Sequence, residues 1–324
     1  MTTSEPLSQS RQPRRLRQVM TSPIEGQAHG TPVRHHEAEI ATGVKSAAVA
    51  RLILTESAVG RDSDRSADLI AAANTLRGDA KVKYLLTPAG FLHVRHEHGW
   101  DSGKVGWDTS QDDFDALAAE ARDATSNLLT ETVRASLSDV ADYLSIGVDV
   151  FFNVRRDREP HAEYALLVRL KDGAIEHMTG KSYPTSKQQM VLIRQPAAET
   201  HSVLHDQDAL ALLVCHDLMT YGGRARAVRG GRRGRVGLAL ETAIASTAPT
   251  VALHLAHTVA TSRTWASPWA TFKGEHPGLH AWSTAFRYSD LWNRPLPLPV
   301  PPRVLAATAG GPDGVVDIIL RDAR

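Results

Sequence analysis

The stretch that most limits what this 324-residue chain can fold into is Leu210-Ala-Leu-Leu-Val-Cys215-His-Asp-Leu-Met-Thr-Tyr-Gly222. An apolar run meets the chain's only cysteine and gives way at once to polar residues and glycine. A short apolar run bounded by turn signals reads as a buried strand. Ligands in α/β proteins gather beyond such strand ends. The cysteine then has two readings. At the foot of a following helix, backbone N–H groups favour its thiolate and hold an oxyanion nearby. As one of the residue types most often buried, it is equally an inert part of the core.

The rest of the chain repeats this grammar. Residues 47–54 and 82–86 read as strands, with helical spacing of Leu69, Ile70, Ala73 and Leu76 between them. Thr87-Pro88-Ala89-Gly90-Phe91 stops the second strand, and residues 93–113 read as a polar surface loop. In that loop His96-Glu97-His98 is a weak metal signal, because no third ligand is near in sequence. Apolar residues from Phe114 to Leu144 predict one long amphipathic helix, ended by Gly147 and followed by a strand at 148–154. Lys171-Asp172-Gly173 between two strand-like runs predicts a hairpin, whose second arm leads to Gly180-Lys181-Ser-Tyr-Pro184. Six arginines between Arg224 and Arg235 suit either an acidic ligand or a flexible, solvated insertion. Residues 249–256 read as a strand, on which His254 and His257 face opposite sides and make a poor joint metal site. Trp265, Trp269, Trp282 and Trp292 read as packing anchors or as a pocket lining. Residues 1–42 are too polar to order themselves and predict a disordered leader. Residues 43–324 read as a single domain, with a Pro-rich spacer at 295–302 and a last strand at Val315–Leu320.

Composition excludes several classes. Basic and acidic residues nearly cancel, at 37 and 36, and the arginine run lacks interleaved aromatics, so nucleic acid is not an expected partner. One cysteine excludes an internal disulfide. No apolar run is long enough to span a membrane, and the N-terminus lacks the apolar core of a secretion signal. The expectation is a cytoplasmic protein.

The order of these pieces resembles the nitrilase, or carbon–nitrogen hydrolase, superfamily over roughly residues 44 to 290. The resemblance is carried by Asp172-Gly173, by Lys181 eight residues later, by Pro184, and by Cys215-His-Asp217-Leu218, with 34 residues from lysine to cysteine. It implies a four-layer α-β-β-α sandwich, assembled as a homodimer or larger homo-oligomer. It further implies hydrolysis of non-peptide C–N bonds in a small amide or nitrile, without cofactor or metal. Cys215 matches the nucleophile and Lys181 the lysine of a Glu-Lys-Cys triad. A nearby ammonium lowers a thiol's pKa and can hold the oxyanion of a tetrahedral intermediate.

One departure stands out. The family's glutamate follows the proline that ends the second strand, and here that position is Ala89. Glu199, between the lysine and the cysteine, and Glu97, in the loop after Ala89, are the substitute carboxylates the sequence offers. Two functions follow: a thioester-forming amide or nitrile hydrolase with a rearranged base, or a catalytically impaired scaffold or ligand-binding relative. A third reading is an unrelated α/β protein with Cys215 in its core.

Overall fold

The computed structural model describes residues 36–40, 48–55, 65–78, 81–96, 104–152, 159–228, 230–290 and 294–322. Its strands are β1 (His36–Ile40), β2 (Val49–Leu54), β3 (Val82–Leu86), β4 (Leu92–Arg95), β5 (Ala141–Phe151), β6 (His161–Arg169) and β7 (Ile175–Gly180). They continue with β8 (Ser202–His205), β9 (Asp208–Val214), β10 (Val251–Thr258), β11 (Ala281–Arg287), β12 (Ala309–Gly310) and β13 (Val315–Asp322). The helices are α1 (Ser66–Leu76), α2 (Gln111–Leu128), α3 (Glu131–Ser138), α4 (Gly223–Ala227), α5 (Arg232–Thr247), α6 (Arg263–Glu275) and α7 (Pro302–Thr308).

Most of these strands are apolar on both faces, as buried sheets require, and alternation along them defines three cores. On β9, Leu210, Leu212 and Val214 meet Val251, Leu253 and Leu255 of β10 and Ala165 and Leu167 of β6. Residues of the opposite parity, Ala211 and Leu213, face α5 and α6 through Leu240, Trp265 and Trp269. On the far side, Leu144, Ile146, Val148 and Val150 of β5 pack with Leu69 of α1, Phe114 of α2 and Leu137 of α3. Helices, sheet, sheet and helices therefore stack as a four-layer α-β-β-α sandwich. Strand order runs β7-β6-β5-β3-β2 in one half and β11-β10-β9-β8 in the other. β2 pairs with β13 along six residues but touches β11 at two register positions, Ile53 with Phe286 and Leu54 with Arg287.

Several expectations need correction. The long helix predicted from Phe114 to Leu144 is two helices and the start of a strand. Ser110 caps α2 in a capping box with Asp113, and the Thr130 hydroxyl accepts from Val133 N–H to begin α3. Gly147 lies inside β5 rather than at a helix end. A Cβ there would come 2.3 Å from the Pro88 carbonyl oxygen, so glycine marks a close approach between strands. The loop predicted at 93–113 holds β4, parallel to β5. Among the described residues the arginine run is helical, in α4 and the first turn of α5, with Arg224, Arg232 and Arg235 exposed. Arg226 there pairs with Glu241 and Glu275, and Arg233 stacks on the Tyr183 ring at 4.3 Å. Strand β1 lies within the predicted leader and pairs with β13, while the rest of residues 1–42 is outside the described residues. Trp265 and Trp269 are fully buried packing anchors against His254 and Trp282; Trp292 is outside the described residues. No helix among the described residues is long and apolar enough to cross a membrane.

Candidate active site

Strand β9 ends at Val214, and the chain turns directly into a 3-10 helix, Cys215–Tyr221. Cys215 occupies the left-handed region with φ of 48°. A non-glycine residue pays of order 1 kcal/mol or more for that conformation, and such strain clusters at functional sites. The turn is held from both sides. His254 Nε2 donates to the Cys215 carbonyl at 2.7 Å, and Asp217 accepts from Val214 N–H at 3.1 Å. Burial lowers His254 to about 3, so its ring is a neutral donor.

The Asp217 carboxylate also joins this turn to the lysine segment. Its other oxygen accepts from the N–H groups of Ser182 and Tyr183, at 3.0 and 2.7 Å. Lys181, at the end of β7, is thereby fixed beside the cysteine. Its ammonium donates to both oxygens of Glu163, at 2.9 and 3.0 Å, and Gln188 Nε2 donates to Glu163 at 2.7 Å. Glu163 is on β6 and shares the inward parity of Ala165 and Leu167, so alternation alone aims it between the sheets. Lys181 and Glu163 are 1% and 3% exposed, so each helps to compensate the other's burial.

The turn after β3 is equally pinned. Thr87 N–H donates to Ser145 at 2.9 Å, Ala89 N–H donates to Ala256 at 3.3 Å, and Arg287 donates to the carbonyls of Ala89 and Gly90. Gly90 has φ of +57°, and a Cβ on it would lie 2.5 Å from Asp149 Oδ2. Asp149, inward-facing on β5, accepts from His257 Nε2 at 3.0 Å. The second His257 nitrogen, Nδ1, lies 3.7 Å from Glu163 Oε2. The Cys215 sulfur, a Glu163 oxygen and a His257 nitrogen all fall within 4.8 Å of one another.

Charge explains the state of each group. Burial alone would raise the Cys215 thiol, but the Lys181 ammonium, with His216 and His257, outweighs it and holds the thiol well below its ordinary range. Burial would lower Lys181, but Cys215 and Glu163 raise it, so it stays an ammonium. Burial would raise Glu163, but Lys181 and His257 hold its carboxyl well below the usual range. Burial would lower His257, but Asp149, Glu163 and Cys215 raise it to about 10. Burial raises Asp217 to about 8, against the pull of its three backbone donors and Lys181. The result is a buried thiolate beside two cations, Lys181 and His257, and the carboxylates of Glu163 and Asp149. Its thiolate, imidazole and carboxylate are donor types that zinc accepts. Yet Lys181 occupies both Glu163 oxygens and Asp149 occupies one His257 nitrogen, which suits an ion-pair cluster better than a cation site.

The structure brings Cys215 and Lys181 together and leaves Glu199 out: Glu199 is exposed on the 3-10 turn Ala198–His201, while Lys181 is buried. Ala89 sits fully buried at the turn where a carboxylate was expected. Of the weak metal signal, His96 pairs with Glu120, and Glu97 and His98 are outside the described residues. His254 and His257 do face opposite sides of β10, toward the tryptophans and toward Glu163. Glu163 and Asp149 were missed, and His257 was weighed only as a poor joint metal ligand with His254. The signal that finds them is a charged or polar residue on the inward parity of an otherwise apolar strand.

No profile of a known protein family matches the chain, and no curated protein matches it. Among solved structures, a cysteine-to-alanine mutant of a Nesterenkonia AN1 amidase from the nitrilase superfamily aligns at a TM-score of 0.39 with 17% identity, covering 76% of this chain and 78% of that one. A carbon–nitrogen hydrolase from Helicobacter pylori G27 aligns at a TM-score of 0.41 with 12% identity, covering 81% and 78%. Likeness at this level says nothing of activity. The functional reading rests on the geometry of the site.

Proposed function

We propose that this chain is a divergent member of the nitrilase superfamily that hydrolyses non-peptide C–N bonds, in amides or nitriles, through a Cys215 thioester. One observation carries the reading: a strained cysteine at a strand end, its sulfur beside a fully buried Lys181–Glu163 pair. Burying a lysine costs several kcal/mol unless it is paired. Packing it next to a lone thiol makes sense where a thiolate and a developing oxyanion need its charge.

In this reading the Cys215 thiolate attacks the carbonyl or nitrile carbon. The Lys181 ammonium stabilises the negative charge that forms on the substrate heteroatom. Glu163 keeps Lys181 charged and in place, supplying from β6 a carboxylate that the turn at Ala89 lacks. With an amide, collapse expels ammonia or an amine; with a nitrile, water first adds to the thioimidate and collapse then expels ammonia. In both cases a further water releases the acyl group.

The test is a screen of small amides and nitriles for ammonia release, with intact mass to trap an acyl group on Cys215. Cys215→Ala is expected to drop turnover to background, and Lys181→Met to lower kcat roughly 10²- to 10³-fold, as loss of one oxyanion donor does. Turnover that survives Cys215→Ala contradicts the proposal. A screen with no adduct and no ammonia favours the non-catalytic, ligand-binding relative.

A further inference from the structure

Proton transfer in such a site needs a group that the thiolate, Lys181 and Glu163 do not supply. The Glu163 carboxylate accepts from Lys181 on both oxygens and from Gln188, and each of these contacts weakens it as a base. The turn after β3 brings a further titratable group to the site. Ala89 N–H donates to the carbonyl of Ala256, the residue immediately before His257, so the end of β10 runs alongside this turn. The adjoining Gly90 leaves room for the Asp149 carboxylate, which a single added methyl would displace. Asp149 binds His257 Nε2 at 3.0 Å, while Nδ1 is turned toward Glu163.

From this placement we infer that His257, oriented by Asp149, is the proton shuttle of the site, beside the turn at Ala89 where the sequence led to the expectation of a carboxylate. The inference rests on the hydrolase reading above. Protons balance as follows. At rest the sulfur is a thiolate and His257 an imidazolium. The thiolate forms a C–S bond, the carbonyl π electrons move to oxygen beside Lys181, and His257 gives its proton to the amine nitrogen as the C–N bond breaks. Neutral His257 then takes a proton from water, whose oxygen attacks the thioester carbonyl. The C–S bond breaks, and thiolate and imidazolium are restored.

The charges facing His257 fit both halves of this cycle. Asp149, Glu163 and the Cys215 thiolate favour its protonated form against the cost of burial. Acylation removes the thiolate's charge, so the ring gives up its proton most readily when the amine departs. Asp149 is a positioning residue: its carboxylate fixes which nitrogen it holds and leaves the other for chemistry. The rival is His216, whose Nδ1 lies 3.3 Å from the sulfur. No ion pair with a carboxylate orients it among the described residues.

The experiment compares acylation of Cys215 by p-nitrophenyl acetate, whose leaving group needs no proton, with acylation by p-nitroacetanilide, whose amine does. His257→Gln is expected to slow anilide acylation by roughly 10² to 10⁴, the usual share of general acid catalysis, and ester acylation by only a few-fold. The acetyl adduct should then persist on Cys215 because deacylation has lost its base. Imidazole should partly restore the anilide reaction in His257→Ala, and Asp149→Asn should alter the pH profile of that reaction. The inference is overturned by equal losses on both substrates, by no loss on either, or by His216→Gln giving the selective loss instead. A wild type acylated by the ester but never by the anilide also overturns it. If neither reagent acylates wild-type Cys215, the hydrolase reading itself falls, and this inference with it.

Discussion

At the scale of single residues, the site is a bargain among charges that none of its members would hold alone when buried. His257 and Cys215 are shifted in opposite directions, and stability inherits both shifts. His257 rises to about 10 from an ordinary value near 6.5. Its contribution to stability is therefore complete below about pH 6.5 and is lost as pH rises toward 10, because the folded state binds the extra proton. Cys215 falls below its ordinary value of about 8.5. Its contribution is complete above about pH 8.5 and is lost as pH falls toward the folded-state value. Between about pH 6.5 and 8.5 the two slopes oppose each other. Burial also raises Asp217 to about 8, which adds a contribution that is lost as pH rises toward 8. Urea unfolding should therefore find wild-type stability falling gently across that window and further above it, while Cys215→Ser, which lacks the opposing thiol slope, falls more steeply from about pH 6.5 onward. Identical profiles for the two proteins would show that they are not coupled in this way. Legibility divides at the same residues. Cys215 and Lys181 stand in recognisable surroundings, whereas Asp149 sits inside a run that read as a plain strand, and Glu163 and His257 sit just beyond the ends of two others. Only alternation, counted against neighbours such as Ala165 and Leu253, sends them to the inner face.

At the scale of elements, the two sheets meet where β2, β11 and β13 converge, and one buried charge organises that junction. Arg51 on β2 donates to Asp317 on β13 at 2.5 Å and to the carbonyls of Thr284, Leu305 and Thr308. This links both sheets to α7. Arg51 is fully buried, and removing one partner of a buried pair costs about 3–5 kcal/mol. Asp317→Asn should lower unfolding stability by that order without touching the site; a change below about 1 kcal/mol would mean that the carbonyls alone satisfy Arg51. The hairpin β6–β7 was readable because Asp172-Gly173 has local turn chemistry, with Gly173 at φ of +79°. The α2–α3–β5 stretch was not. Leu137, Ala141 and Leu144 keep helical spacing across a boundary set by the caps at Ser110 and Thr130 and by the strand partners of β5, which lie far away in sequence.

At the scale of the whole molecule, the sandwich brings four separate strand ends to one end of the inter-sheet layer. β5 supplies Asp149, β6 Glu163, β9 leads to Cys215 and β10 supplies His257. Around them the layer is packed with apolar side chains such as Leu167, Leu212, Val214 and Leu255, so the charges there interact strongly. The four-layer architecture was legible only as what the family resemblance implied, a resemblance carried by the hairpin, Lys181 and the cysteine motif. The resemblance led to the expectation of a carboxylate at Ala89, whereas the gathering of Asp149, Glu163 and His257 depends on register between strands that no local pattern announces. The measurement that bears most directly on this account is the rate of iodoacetamide alkylation of Cys215 against pH, read by intact mass, in wild type and Lys181→Met. Cys215 is the chain's only thiol. The account predicts a wild-type rate already on its plateau near neutral pH, and a Lys181→Met rate that climbs at higher pH. A wild-type rate still rising through about pH 8.5, or no alkylation until the protein unfolds, would contradict an activated thiolate beside Lys181.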